Sequence, residues 1–478
     1  MSGICRPTIH RRELLLGSAG VAASAWLPRS ALAVATPARE FTLVAAPARA
    51  SLVGPPHPET DVWCYNGSTP GADIRVRQGE RVRVAVENRL PEETTVHWHG
   101  IRLPNAMDGV PHLTQKPIAP GETFAYEFTC PDAGTFWYHP HQRSFVQVGR
   151  GLYGALIVEE REPVPVDRDV TWVLADWRLL DDASISSDFG NIHDVSHNGR
   201  VGNTVTVNGR IPETFAVRAG ERIRLRLING ANARIFGLEF EGHKPQIIAL
   251  DGQPVEPHAP ADGRVVLGPA MRVDLLVDMT AQPGQRFRVI DMFYRDLEYK
   301  LLDLVYGSNA PLRDLAGAVP VRLPDNPLPE PNLKDAQRHQ VVLGGGMMGA
   351  MRTAMLDGKQ VDIRTLMHHG LVWAINGVAA KGHVHEPLLT LERNRPYILE
   401  LVNDTMWHHP VHLHGHSFRV ITRDGKPTQY REWQDTVLLS RQERAEIAFV
   451  ADNPGDWMIH CHILEHQAGG MMGVIRVT

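Results

Sequence analysis

The chain has no basic block, and its formal charge of −5 over 478 residues argues against nucleic acid as its partner. Beyond residue 33 it has no apolar run long enough to span a bilayer. Cysteine is scarce, at four, and Cys5 falls in a stretch that is not expected to belong to the folded protein. HRRELLLGSAGVAASAWLPRSALA sets the paired Arg11 and Arg12 before an apolar run and closes on Ala31-Leu32-Ala33, the order of a removable export signal. Residues 1–33 are therefore expected to direct twin-arginine export and to be cut away, leaving a soluble periplasmic protein with no membrane span. In that oxidising compartment a disulfide between Cys64 and Cys130 is permitted.

What the chain does have is turn-rich and repetitive. Its length is too great for one core and suggests three domains, while Gly 42 and Pro 35 favour many turns and a β-rich fold. NGSTPGADIRVRQGERVRVAVENRL from Asn66, NGRIPETFAVRAGERIRLRLINGAN from Asn208 and NGVAAKGHVHEPLLTLERNRPYILELVND from Asn376 line up as copies of one pattern. Each runs from Asn-Gly through a polar turn into an alternating strand that ends at Asn88, Asn229 or Asn403. Arg81–Val86 and Arg222–Leu227 have the period of two expected of half-buried strands.

The copies then diverge. Nine residues after Asn88 comes His97-Trp98-His99-Gly100, and nine after Asn403 comes His412-Leu413-His414-Gly415; nine after Asn229 comes only Leu238-Glu239-Phe240. Further on, Gly134 is followed at +5 and +7 by His139 and His141, and Gly455 by His460 and His462, but Gly284 by Val289 and Asp291. Three β-sandwich domains of similar design are expected, over 41–163, 164–318 and 335–478, with the proline-rich segment 319–334 as an extended connector. The first and third must face one another, because each supplies half of the histidines.

In a strand, His-x-His puts both imidazoles on one side. Four such pairs at matched offsets, His97/His99, His139/His141, His412/His414 and His460/His462, are natural metal ligands when neutral and intolerable together when charged. Cys461 lies between His460 and His462, so its sulfur points to the opposite face and needs a metal of its own. His409, His466 and Met471 complete a set of two His, one thiolate and a weak axial Met, the blue-copper electron-transfer arrangement. The alternative axial residue is Met472. Eight histidines suit about three ions, and the Cys461 backbone joins the two centres covalently.

HWHG, WYHPH, HPVHLHGH and HCHILEHQAGGMM resemble the four ligand motifs of the multicopper oxidases, in family order and over essentially the whole mature chain. The resemblance implies three consecutive cupredoxin-like Greek-key β-sandwich domains and four copper ions per chain. It implies a type 1 copper on His409, Cys461, His466 and Met471, a type 2 copper on His97 and His412, and a type 3 pair on His99, His139, His141, His414, His460 and His462. Dioxygen would be the electron acceptor and a small reducing substrate the donor. Asp108, in NAMDGVP, resembles the family's acid near the dioxygen site; its other reading is a turn residue before Gly109. Glu465 is a further acid candidate, or a solvated or structural carboxylate, and Gln467 stands where some relatives carry an acid. His408 and His416 break the ligand spacing and are read as surface or supporting groups.

Met347, Met351 and Met355 fall at i, i+4 and i+8, the spacing of one helix face. Such a face fills core, or, with Met348, Met367 and His368-His369, offers soft ligands to cuprous ions. Laccase-type oxidation of phenols or aromatic amines at an exposed edge near His466, and oxidation of Cu(I), are thus both open. A copper-binding protein without turnover and a scaffold without copper are the non-enzymatic alternatives.

Overall fold

The computed structural model describes residues 38–478 except 316, 383 and 385, so the expected export signal lies outside the described residues. Among the described residues no helix is long and apolar enough to cross a membrane. The strands of the described residues gather into six larger sheets and one two-stranded ribbon, the expected all-β architecture. The larger sheets pair along the sequence. Arg39–Ala50, Thr60–Tyr65, Arg81–Asn88 and Thr123–Thr129 oppose Gly71–Arg77, His97–His99, Gly134–His139 and Gly154–Glu159 to form the first sandwich. The second and third repeat the plan, and in each the opening strand runs parallel to the alternating strand: Arg39–Ala50 beside Arg81–Asn88, Arg168–Trp177 beside Arg222–Asn229, and Gln337–Gly345 beside Pro396–Asp404.

The repeated asparagines explain why three divergent sequences reach one fold. Asn66, Asn208 and Asn376 all adopt positive φ, of 53°, 51° and 48°, which Asn tolerates better than most side chains. The three side chains then do one job. Each accepts from a backbone N–H of its sandwich's opening strand, at Val44, Val173 or Val342, over 2.7, 2.8 and 2.7 Å. Each also donates to a carbonyl two residues earlier in that strand, at Thr42, Thr171 or Gln340. Asn88, Asn229 and Asn403 likewise accept from the N–H two residues ahead, at Leu90, Ala231 and Thr405, and donate across the loop to Ile118, Leu267 and Ser440 carbonyls. They fix the chain that leads to each following strand.

In Arg81–Asn88 the valines are buried and Arg81 and Arg83 exposed, as the alternation predicts. The matching strand Arg222–Asn229 departs from that prediction, because every residue in it is buried. Its arginine face is covered by carboxylates and by the first sandwich. Arg224 pairs with Asp274 at 2.7 Å and Glu160 at 2.8 Å, while Arg226 pairs with Asp169 at 2.6 Å and donates to Thr135 Oγ1 at 2.9 Å. Buried guanidinium groups are tolerable only when paired in this way. The apolar residues of the first and third sandwiches form one continuous cluster, whereas the second keeps its own.

The connector is strand-free and seated on its neighbours. Leu323 packs with Ile248 and Leu276, and Asn326 exchanges two hydrogen bonds with the Ala133 backbone, at 2.9 and 2.8 Å.

Two readings that the sequence left open are closed by the structure. Cys64 and Cys130 are both free and buried, because they pack in separate apolar groups, Cys64 with Leu52 and Trp137, and Cys130 with the core of the first sandwich. Met347, Met351 and Met355 do not share a helix face. Positive φ at Gly345, Gly346 and Met348 breaks any helix there, and Met355 lies in the hairpin of Thr353–Leu356 with Lys359–Asp362. In that hairpin Ala354 and Leu356 point inward, leaving Met355 exposed, while Met351 is half-buried against them.

Candidate metal centre

Strand pairing assembles the histidines. His97–His99 lies antiparallel to Gly134–His139 with His97 opposite His139, and His409–Leu413 lies antiparallel to Gly455–Cys461 with His412 opposite His460. The two half-sets meet face to face and fully buried. His97 stacks on His414 with ring centroids 4.0 Å apart, His99 on His412 at 3.7 Å, and His139 and His141 approach His462 and His460 at 5.1 and 5.2 Å. All eight predicted imidazoles therefore line one space between the first and third sandwiches.

Accounting for the ring nitrogens shows what that space suits. Nδ1 of His97, His139, His412 and His460 donates to the carbonyl of Asp108, Pro140, Asp435 and Cys461 respectively, over 2.8, 3.1, 2.8 and 2.9 Å. A carbonyl only accepts, so these nitrogens carry the proton, and in the neutral ring the opposite nitrogen is a bare lone pair. His97 Nε2, His99 Nδ1, His141 Nε2, His412 Nε2 and His462 Nδ1 are buried with no hydrogen-bond partner. Nε2 of His414 and His460 face each other at 3.1 Å, and Nε2 of His139 and His462 at 3.4 Å. Protonation does not relieve this crowding. Burial, followed by the neighbouring imidazoles, pushes His99, His139, His141, His414 and His462 well below the ordinary range, and His460 down to about 3. Neutral, inward-facing lone pairs without partners call for cations. The donors form overlapping triads, His97/His99/His139, His97/His412/His414 and His141/His414/His460, which fit copper held by imidazole.

On the other face of the same strand, Cys461 Sγ lies 3.4 Å from His409 Nδ1 and 3.7 Å from His466 Nδ1, and those two nitrogens are 3.2 Å apart. His466 Nε2 donates to the His197 carbonyl at 2.7 Å, leaving Nδ1 bare, and burial holds this imidazole down at about 3. Burial pushes the Cys461 thiol well up, so a thiolate here needs an adjacent cation. Met471 is buried beside this set: its carbonyl accepts from Cys461 N at 3.1 Å and its N–H donates to His466 O at 3.0 Å. Met472 packs elsewhere, with Val110, Ala380 and Met458, which removes it as the axial alternative. Trp373 closes the site against both His409 and His466. The expected exposed edge at His466 is absent, because the second sandwich covers it through His197 and the ring is fully buried.

The acids differ from one another. Asp108 is buried among the imidazoles: Oδ2 accepts from His414 Nδ1 at 2.9 Å, and Oδ1 lies 3.2 Å from His97 Nδ1. Glu465 is buried rather than solvated, and burial raises its pKa; its oxygens accept from Arg200 N at 3.1 Å and Asn232 Nδ2 at 3.0 Å, both in the second sandwich. Gln467 Nε2, by contrast, lies 3.4 Å from His141 Nδ1. His408 rests against Phe293, and His416 is buried between Phe449 and Trp457, both outside the donor sets.

Sequence reasoning missed Asp435 and Thr436. Asp435 Oδ1 and Thr436 Oγ1 each lie 3.1 Å from His99 Nε2. Their only signal is an acid and a hydroxyl directly before the apolar run Val437-Leu438-Leu439.

Three β-sandwiches holding a buried eight-imidazole cluster and a His₂Cys site on opposite faces of one strand define a copper oxidoreductase. Family models described as multicopper oxidase match residues 49–163, 168–298 and 358–478. Multicopper oxidase MmcO of Mycobacterium tuberculosis is 33% identical over 98% of this chain and 93% of its own. The crystal structure of a multi-copper oxidase from Pseudomonas thermotolerans is 36% identical, covers 93% of this chain and 100% of its own, and superposes with a TM-score of 0.79. More distant relatives, each 28% identical, include a copper resistance protein A homolog of Pseudomonas syringae pv. tomato, over 86% of this chain and 88% of its own, and Laccase-1 of Botryotinia fuckeliana, over 85% and 77%. The chain belongs to the multicopper oxidase family and is an oxidoreductase that uses oxygen.

Proposed function

We propose that the protein couples four one-electron oxidations of a small reducing substrate to reduction of one dioxygen, with four protons, to two waters. His409, Cys461, His466 and Met471 would hold a type 1 copper, His97 and His412 a type 2 copper, and the other six imidazoles a type 3 pair. Bound copper supplies the one-electron chemistry at Cys461 and the dioxygen chemistry among the imidazoles. The observation that carries this reading is the backbone of His460-Cys461-His462, which joins the two donor sets through a single strand end. Asp108, which accepts from His414 Nδ1 and lies beside His97 Nδ1, would hold a proton for dioxygen reduction. Glu465 lies against the second sandwich and would serve as a proton store one residue from His466. A cleft lined by Val110, His141, Phe145, Gln467 and Met472 reaches His141 and offers dioxygen a way in. Export by the twin-arginine route to the periplasm belongs to the same reading. Copper per chain and the visible spectrum of the copper-loaded protein test it: about four ions with an intense blue band are expected, and one ion or none would sink it.

For the donor, phenols and aromatic amines suit outer-sphere electron loss. The exposure of Met347, Met348 and Met367 favours a second reading, oxidation of Cu(I). The Met347 carbonyl accepts from Trp407 Nε1 at 2.9 Å, and the Trp407 ring touches His197, which covers His466. Replacing Met347, Met348 and Met367 with Leu should lower turnover of Cu(I) several-fold more than turnover of a phenol, whereas equal losses would favour phenols alone.

A further inference from the structure

Two cluster imidazoles owe their orientation to a group outside the cluster. Asp435 Oδ1 lies 3.1 Å from His99 Nε2, and the Asp435 carbonyl lies 2.8 Å from His412 Nδ1. Carbonyl and ionised carboxylate oxygens only accept, so they place the protons on His99 Nε2 and His412 Nδ1. The opposite nitrogens, His99 Nδ1 and His412 Nε2, are the ones left buried and bare. The two rings thus present different nitrogens to the same space, and Asp435 sets both together with Thr436, whose Oγ1 lies 3.1 Å from each of the same two nitrogens and donates to Asp435 Oδ1 at 2.7 Å.

Asp435 is itself clamped from the second sandwich. Arg272, at the start of Arg272–Asp278, donates from Nη1 to Asp435 Oδ1 at 2.8 Å and pairs through Nη2 with Oδ2. The remaining guanidinium bonds go to the Asp251 carbonyl at 2.9 Å, the Thr135 carbonyl at 3.1 Å and the Ala270 carbonyl at 3.1 Å, so Arg272 cannot turn. Asp251 holds the partner's backbone: its Oδ2 accepts from Asp435 N at 3.2 Å and Thr436 N at 3.0 Å, and its Oδ1 accepts from Arg272 N at 2.9 Å. All four residues are buried. The ligand strand of the first sandwich accommodates the clamp as well. Gly100, which follows His99 with φ +88°, leaves room for it; a Cβ there would collide with Arg272 Nη2 and come within 2.6 Å of Asp435 Oδ2.

We infer that Arg272 and Asp251 are positioning residues of the copper cluster: through Asp435 they fix the tautomers and ring orientations of His99 and His412, so that the sandwich without ligands aligns ligands supplied by the other two. This rests on the proposed copper cluster. The wild-type copper count tests that reading separately, since a cluster that never assembles would be seen before any variant is made.

The test compares copper-loaded wild type with Arg272→Met, Arg272→Lys and Asp251→Asn, reading copper per chain, the paramagnetic-resonance signal of the type 2 copper on His97 and His412, and the blue band at Cys461. Loss of an outer group that orients a ligand typically weakens metal binding by about 10–100-fold. The expected result for Arg272→Met is a type 2 copper that is altered in its resonance and lost at lower chelator concentration, with the blue band unchanged, and partial recovery in Arg272→Lys. Asp251→Asn keeps the side-chain shape and should give a smaller change in the same signal, which provides the reading should Arg272→Met not fold. An unchanged type 2 signal in both variants, or a parallel loss of the blue band and the type 2 signal, would overturn the inference.

Discussion

His97 and His99 in the first sandwich, and His412 and His414 in the third, occupy strand positions that Leu238 and Phe240 fill in the second, where both are buried in that sandwich's own core. Pairing differs too. His97 faces His139 and His412 faces His460, but Leu238 faces Asp291, two residues beyond the matching Val289. Asp291 is spent locally, accepting from Gly237 N at 2.9 Å and Tyr299 Oη at 3.0 Å. Freed from ligand duty, the middle copy turns its polar groups outward to its neighbours: Arg226 to Thr135, Arg272 to Asp435, and the His197 carbonyl to His466. The sandwich that carries no histidine pair instead supplies side-chain and backbone contacts to both of the others.

The comparison can be broken first at its strongest point. Cys461→Ser should abolish the blue band and substrate oxidation, while far-ultraviolet circular dichroism and dioxygen-site copper remain; turnover retained in this variant would defeat the electron path through the strand end. A smaller effect is expected from putting histidines back into the middle copy. Leu238→His with Phe240→His restores His-x-His on one strand face, yet Asp291 and the shifted pairing leave the new rings without partners. Each should cost about 1–3 kcal/mol as a buried unsatisfied group, lowering the melting temperature with copper per chain unchanged. Additional bound copper would show that spacing alone makes a site.

A third effect, graded with pH rather than all-or-none, separates the copies by protonation in the metal-free protein. His460 and His466 are neutral down to about 3 in the fold, whereas unfolded imidazoles take up protons near ~6.5. The unfolded chain therefore binds more protons below that point, and stability should fall as pH drops from about 6.5 toward about 3, by up to ~1.4 kcal/mol per group per pH unit. Urea unfolding of the metal-free protein at successive pH values reads this directly, and a midpoint that does not move would mean these rings are protonated in the native state.

Spacing made the donor sets legible, since His-x-His in a strand admits one geometry and Cys461 between two such residues admits one face. The repeat was legible because the same asparagines do the same work in each copy. What spacing cannot carry is contact between distant single residues: Asp435 and Arg272 lie 163 positions apart with no motif around either. The burial of Arg224 and Arg226 was hidden for a related reason, as a period of two reveals that a strand has two faces but not that a neighbouring domain covers the polar one. The methionine segment misled because i, i+4, i+8 also occurs by chance in a chain that glycines turn into a hairpin.

The carbonyl of His197 over His466 has a consequence for how the protein chooses its reductants. On the proposed reading, an electron entering at His466 would cross the His197 peptide group, whose carbonyl accepts from His466 Nε2 at 2.7 Å, before reaching Cys461. Discrimination would then follow the driving force and the tunnelling gap rather than the shape of a pocket, and the segment that would set the gap, the short helix Ile192–Ser196 and the residues up to Arg200, would be the place where range is traded for speed.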